Sequence, residues 1–426
     1  MSAPEPPIAP PNRSLLRRIA ADVTPLRVSR DFRRIWTGLL ISELGFQFTL
    51  VASYYQVTRI TDSAAAVGMI GLVGFVALVI GALLGGSILD AFDRRKLLVW
   101  SQFGYMAASS LLLVGALHGH PPVGLVYAGV AIIAMVSAVE GPTRSAMTPR
   151  LVGLELLPSA LALNQVIWNG TGLLGPALAG VVIAKANLSW AYGIDLVTYG
   201  AMLVAALSIR PMPPERAEGA PTGWEAVREG FGYLRGRRVL QSTFVIDIVA
   251  MVFGMPRALF TLIAVTQFHA GPEVVGLLFA APAVGALLGA VTTGWVKHVR
   301  RQGWAVIWAV GRWGFGIAAF GLVGERLWLG LVFLAFAGAA DVISAVFRST
   351  ILPLTVPDAR RGRLSGIHSL VVTGGPRLGD LEAGLVAAAF TPTVSVVSGG
   401  LLCIAGAALV AWRAPAFRRY RAGDPA

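Results

Sequence analysis

The chain has 426 residues, of which 55% are hydrophobic and only 13% charged. That charged share is about half that of an ordinary soluble domain, too small to cover the surfaces of the two or three domains this length would form. A disordered chain and a disulfide scaffold are excluded by the same numbers, and the single Cys403 cannot form an internal bridge. A polytopic all-α membrane protein remains, and 50 glycines and 25 prolines suit tightly packed membrane helices.

In chain order, the proline-rich leader MSAPEPPIAPPN predicts a disordered tail over residues 1–30. Apolar stretches follow at 36–58, 67–89, 97–117, 122–141, 161–184, 190–209, 241–266, 274–296, 303–322, 327–347, 364–388 and 393–412. Each is close to the ~20 residues that cross a bilayer, which predicts 12 transmembrane helices. The first has full span length and follows Arg33–Arg34, so it is expected to insert as a helix and not to be cleaved as a signal. Pro211, Pro213, Pro214 and Pro221 mark a linker over 211–240, with Trp224–Leu234 reading as a short amphipathic helix on the membrane surface.

The net charge of +13 is a topology signal. Of 35 Lys and Arg residues, 29 fall on alternate segments that include both ends of the chain. Only Arg59, Lys185 and Arg326 fall on the opposite side, and Arg257, Arg312 and Arg377 lie within spans. This bias places both termini, including the tail 413–426, in the cytoplasm, beneath a cell inner membrane. The positive charges then face anionic lipid, and no nucleic-acid partner is expected.

The chain also repeats with an offset of 204 residues. Arg33–Arg34–Ile35 returns as Arg237–Arg238–Val239, Glu43 as Asp247, Gly81 as Gly285, Arg144 as Arg348, Pro149 as Pro353 and Gly180 as Gly384. The halves are therefore 31–210 and 241–412. Six spans each makes corresponding helices run the same way, the parallel repeat of a transporter with pseudo-two-fold symmetry.

After the second span the chain reads Gly85-Gly86-Ser87-Ile88-Leu89-Asp90-Ala91-Phe92-Asp93-Arg94-Arg95-Lys96. This resembles motif A of the major facilitator superfamily, with Asp90, Arg94 and Arg95 matching and with Ala91 and Asp93 replacing the usual basic residue and glycine. Leu173-Leu174-Gly175-Pro176-Ala177-Leu178-Ala179-Gly180, Gly276–Pro282, Thr355–Asp358 and Gly375–Asp380 resemble the enterobactin (siderophore) exporter branch, which also resembles macrolide and other drug exporters. The second half departs from motif A: Gly294 stands where Asp90 repeats.

The resemblance implies two six-helix bundles and alternating access. It places Gly86, Asp90, Arg94, Arg95, Glu140 and Arg144 in a cytoplasmic gate, and Glu43 and Asp247 in the central cavity. Ionisable groups inside the bilayer are costly and are functional candidates by default. Each of these two acids can bind a proton or a cationic substrate; the alternative is a structural acid paired with arginine. Asp341 and Arg257 are expected to face the same cavity. There Arg257 would bind anionic or phenolate oxygens, or pair with Asp247 or Asp341. Asp195, Arg312, Arg377, Asp380 and Glu382 are expected to be structural, with Arg377 and Asp380 paired along one helix face. Phe46, Phe48, Tyr54, Tyr55, Trp168 and Tyr199 are candidates for stacking on an aryl ligand.

His118, His120 and His269 are too scattered for a metal site, and no phosphate-cradling loop or nucleophile–base cluster supports an enzyme. The reading is a secondary active exporter, coupled to protons, of a bulky small molecule. A catecholate siderophore is the favoured substrate and a multidrug or macrolide substrate the alternative. No cofactor or metal is expected, and the unit is a monomer in lipid.

Overall fold

A computed structural model describes residues 22–119, 121–214, 228, 232–355 and 358–421, less the side chains of 87, 90, 297, 352–355, 358–367 and 369. Residues 1–21 of the expected disordered tail, the last residues 422–426, and 224–227 and 229–231 of the expected amphipathic linker helix lie outside these residues; the rest of that tail is not disordered, since Thr24–Val28 is helical and α1 begins at Arg30. The described residues are helical, with no strand among them.

After a one-turn helix at Thr24–Val28, the long helices are α1 (Arg30–Thr61), α2 (Ala64–Ala91), α3 (Arg94–Leu117), α4 (Val123–Lys185) and α5 (Leu188–Leu207). The second half holds α6 (Arg238–Phe253), α7 (Phe260–Thr266), α8 (Pro272–Val291), α9 (Gln302–Gly321), α10 (Leu327–Thr355), α11 (Asp358–Ala389) and α12 (Pro392–Arg413). Local chemistry sets the starts. Ser29, Ser63, Asp93, Asn187 and Thr391 each accept a backbone N–H of the first turn, satisfying donors that a helix leaves free.

Nine helical segments among the described residues are long and apolar enough to cross a membrane. One of them, α4, has 63 residues. At ~1.5 Å per residue it is roughly 95 Å long, about three times a bilayer core, so it makes two passes. The break is Gly153, at φ 75° and ψ 166°, where a side chain would be strained. The segment expected to be a loop between the fourth and fifth spans is thus helical on both sides of one glycine. With α9 and α11 the arrangement is consistent with twelve passes.

The seventh span is also interrupted. Between α6 and α7 lies a 3-10 turn, Arg257–Leu259, entered through Gly254 and Pro256. The Gly254 carbonyl is satisfied by Trp313 Nε1 at 2.7 Å, and the Ala258 N–H is left free for a side chain.

Within the first half α1 packs on α4 and α5; within the second, α9 packs on α10 and α12, and α6 on α11. The halves meet where α2 lies on α11 and α4 on α8. Glycine allows this approach. A Cβ at Gly68 would stand 2.9 Å from the Gly384 Cα, and one at Gly180 would stand 3.0 Å from the Gly276 Cα. Membrane helices lack a hydrophobic driving force between them and use such small residues to pack. Outward-facing apolar side chains such as Trp100, Val197 and Trp412, each at least 70% exposed, mark the lipid-facing surface. The protein is an integral membrane protein.

Candidate functional site

Two ion clusters lie at repeat-equivalent places. In the first half, Arg144 of α4 reaches two acids. Its Nη1 donates to Glu140 Oε1 of the same helix at 2.7 Å and stands 3.8 Å from Glu43 Oε1 of α1. The guanidinium also sits over the Trp168 ring, 5.9 Å from its centroid.

In the second half, Arg348 of α10 does the same with Asp247 of α6 and Asp341 of its own helix. Nη1 is 2.7 Å from Asp247 Oδ1, and Nη2 is 3.6 Å from Asp341 Oδ1. His368 of α11 adds a third neighbour, its Nε2 standing 3.6 Å from Asp247 Oδ2. Both Arg348 and Asp247 are buried, while Asp341 keeps 27% of its side chain exposed. The contact between Asp247 and Arg348 is one of charge proximity, since among the described residues neither Asp247 oxygen makes an aligned hydrogen bond. Ser344 Oγ, fully buried one turn from Arg348, also has no hydrogen-bond partner among the described residues.

A third cluster joins the halves. Asp380 of α11 is fully buried. It accepts from Tyr54 Oη of α1 at 2.6 Å and from the free Ala258 N–H at 3.0 Å, with Arg257 Nη2 at 4.0 Å. One turn away, Arg377 Nη1 donates to the Gly74 carbonyl of α2 at 2.5 Å. Together with the Gly68–Gly384 and Gly180–Gly276 contacts, these bonds lie towards the turns at 62–63, 186–187, 267–271 and 390–391. That is the end of the molecule opposite the start of α1 at Arg30 and the end of α12 at Arg413.

The structure therefore brings Asp247 and Asp341 together but regroups several expected residues. Arg144 and Glu140, expected beside Asp90 and Arg94, instead form one cluster with Glu43. The Asp90 side chain lies outside the described residues. Arg94 Nη1 donates to the Ala146 carbonyl, and Arg95 donates to the carbonyls of Ala206 and Leu207. Both thus fasten helix ends within the first half, and Gly86 continues α2, half-buried. Arg257 pairs with Asp380, not with Asp247 or Asp341.

The expected local pair of Arg377 and Asp380 is not formed. Each side chain turns instead to a different element, because the carboxylate is already held by the Tyr54 and Ala258 donors. Asp195 is fully buried and accepts from Thr49 at 2.5 Å and Ser109 at 2.7 Å, a bond set within the first half. Of the aryl candidates, Phe48, Tyr54 and Tyr199 are buried in the core, Tyr199 stacked on Tyr105 at 4.8 Å. Phe46 and Tyr55 are half-buried, and Trp168 is 48% exposed.

Sequence reasoning missed Arg348 and His368. Arg348 was available as the repeat of Arg144, but both arginines read as charges of cytoplasmic loops, because hydropathy falls before the helices end. His368 carries no sequence signal of its own.

The comparisons agree with this architecture. The family model described as transmembrane secretion effector matches residues 20–422. The enterobactin exporter EntS of Citrobacter koseri is 26% identical over 401 residues, 94% of this chain and 95% of that protein. The enterobactin exporter EntS of Escherichia coli O139:H28 is 24% identical over the same shares. Among solved structures, a bacterial homologue of the iron transporter ferroportin in an inward-facing state superposes with a TM-score of 0.69 at 15% identity, covering 91% of this chain and 98% of that one. The nucleoside transporter NupG gives 0.68 at 13% identity, with 91% and 98% covered. With a family model spanning nearly its whole length, the chain belongs to the transmembrane secretion effectors of the major facilitator superfamily, which are transporters rather than enzymes.

Proposed function

We propose that this protein is a secondary active exporter that moves a bulky small molecule out of the cytoplasm by alternating access, driven by proton antiport. The observation that carries the drive is the pair of acid–arginine contacts at repeat-equivalent positions, Glu43–Arg144 and Asp247–Arg348. A carboxylate inside the bilayer is costly unless paired. A proton arriving on it neutralises the acid and releases the arginine, so loading and unloading of a proton is tied to a contact between helices.

Direction and substrate rest on the full-length match to enterobactin exporters, which favours a catecholate siderophore. The exposed Trp168 beside Arg144 suits an aryl group. Both termini lie in the cytoplasm on the charge bias of the sequence. The end closed by Tyr54, Asp380 and Arg377 is then the outer one. Asp90, Arg94 and Arg95 belong to the inner gate, and the working unit is a monomer in the cell inner membrane.

The test is an untargeted comparison of metabolites from cells with and without the gene, in iron-poor and iron-rich medium. The expected result is a catecholate compound that reaches the medium in iron-poor culture only when the gene is present and is retained in the cells when it is absent. Equal amounts outside both strains, in both media, would overturn the siderophore assignment. Retention of lipophilic drugs alone would replace it with drug export.

A further inference from the structure

The two ion clusters are one device held in opposite settings. Each has an arginine on the fourth helix of its half, an acid on the first helix, and a second acid on the arginine's own helix. In the second half the arginine is on the neighbouring helix's acid: Arg348 stands 2.7 Å from Asp247 and 3.6 Å from Asp341. In the first half it is on its own helix's acid: Arg144 stands 2.7 Å from Glu140 and 3.8 Å from Glu43.

Each arrangement is geometrically natural. Glu140 and Arg144 are four residues apart, and Asp341 and Arg348 seven, so each pair lies on one helix face. The two home acids do not repeat each other: the position matching Glu140 is Ser344, and that matching Asp341 is Ser137. Two different sequence solutions therefore supply the same part.

We infer that Arg144 and Arg348 are partner-exchange switches, with Glu140 and Asp341 as the receiving acids. When Asp247 takes a proton, its carboxylate becomes a neutral carboxyl, and Arg348 moves to Asp341. No bond other than the new O–H forms, and no charge is left buried and unpaired, which would be costly. The contact between α6 and α10 is thereby exchanged for one within α10. Loss of the proton reverses the exchange.

The hydrogen bonding of the second cluster among the described residues fits a group that moves. Asp247, Arg348 and Ser344 all carry buried polar atoms without aligned partners among those residues, whereas Arg144 holds an aligned bond to Glu140. The inference rests on the proton-driven reading above and adds residues to it: Glu140 and Asp341 act as positioning residues, through the arginines.

The groups facing Asp247 are Arg348 and Asp341 from α10 and His368 from α11. Cys403 of α12 lies near Asp341 and Arg348, and Arg312 of α9 is exposed. Glu43 is faced by Arg144 of α4, and the charges of Glu140 on α4, Tyr105 on α3, and Asp195 and Tyr199 on α5 act on the same cluster.

The test uses the full-length protein in liposomes, with enterobactin as probe. It measures uphill transport against pH and, separately, exchange with no gradient. In Asp341→Asn the arginine has no receiver, so protonation of Asp247 strands it. The pH of half-maximal uphill transport should fall by about one unit, a tenfold rise in the proton concentration needed, which is within the usual range of coupling between sites. Gradient-free exchange should persist, and Asp341→Glu should restore the parent pH profile. Glu140→Gln should shift the same profile through the other half.

A structural role alone would lower exchange and uphill transport together without moving the pH profile, and that result overturns the inference. If Asp341→Asn does not fold, Glu140→Gln decides by the same readout. A parent protein whose transport ignores the proton gradient overturns the proton-driven reading and this inference with it. A gradient-driven parent whose profile stays put in both variants overturns the inference alone.

Discussion

The phenol of Tyr54 donates a 2.6 Å hydrogen bond to the buried carboxylate of Asp380, 326 residues further along the chain. It ties the first helix of one half to α11 of the other, next to the Arg377–Gly74 bond, at the end where the halves touch through glycines. A transporter that releases a bulky molecule at that end must break this bond once per cycle.

Tyr54→Phe should therefore loosen the closed end without unfolding the protein. A hydrogen bond to a charged group contributes about 1.5–3 kcal/mol, enough to shift the ratio of closed to open forms by roughly ten- to a hundredfold. Spin labels on Arg59→Cys and Phe390→Cys, in a Cys403→Ala background, should report a larger population of long distances in Tyr54→Phe than in the parent. An unchanged distance distribution would remove Tyr54 from the latch.

Gly384→Ala tests the same interface sterically. The added Cβ would stand 2.6 Å from the Gly68 Cα, and backbone cannot yield as a side chain does. Overpacking of this kind costs about 1–3 kcal/mol. The expected outcome is a lower melting temperature in detergent together with a shift towards the open end in the same spin-label pair.

The fold was legible because its signals are long and repeated. Hydropathy marks crossings, and the 204-residue offset pairs Glu43 with Asp247 and Arg144 with Arg348 before any geometry is known. The limits are equally physical. Hydropathy measures the thickness of a bilayer, not the length of a helix, so α4 and α10 run on past their apolar stretches and their arginines read as loop charges. Arg257 and Asp380 meet only because Gly254 and Pro256 break the seventh span, and spacing cannot reveal a partner brought in from elsewhere in the chain. Arg377 and Asp380 show the converse: correct spacing for a local pair, with both side chains already taken by other helices.

Among the described residues Asp195 has side-chain partners only within the first half, Thr49 and Ser109, and pairs with no arginine. Asp195→Asn keeps the shape and an accepting oxygen for both hydroxyls. Uphill transport by this variant should match the parent within about twofold, an effect under ~0.5 kcal/mol. Loss of gradient drive with intact exchange would make Asp195 a coupling residue.

Trp168 is the exposed aromatic beside the first ion cluster. Trp168→Leu removes a stacking face while keeping an apolar side chain, and stacked aromatic contacts contribute about 0.5–1.5 kcal/mol. The expected change is a KM for a catecholate substrate raised roughly two- to tenfold, with the maximal rate retained. A fall in maximal rate at constant KM would place Trp168 in the conformational cycle instead.

In the proposed function a proton gradient drives export through the paired acids Glu43 and Asp247. The direct measurement uses purified protein in liposomes with an acidic lumen and enterobactin added outside. Enterobactin should accumulate in the lumen above the outside concentration. That accumulation should collapse when the pH gradient is dissipated, and should be absent in Asp247→Asn although this variant still exchanges substrate without a gradient. Equal accumulation with and without the gradient, or accumulation that follows sodium and ignores pH, would rule out proton drive.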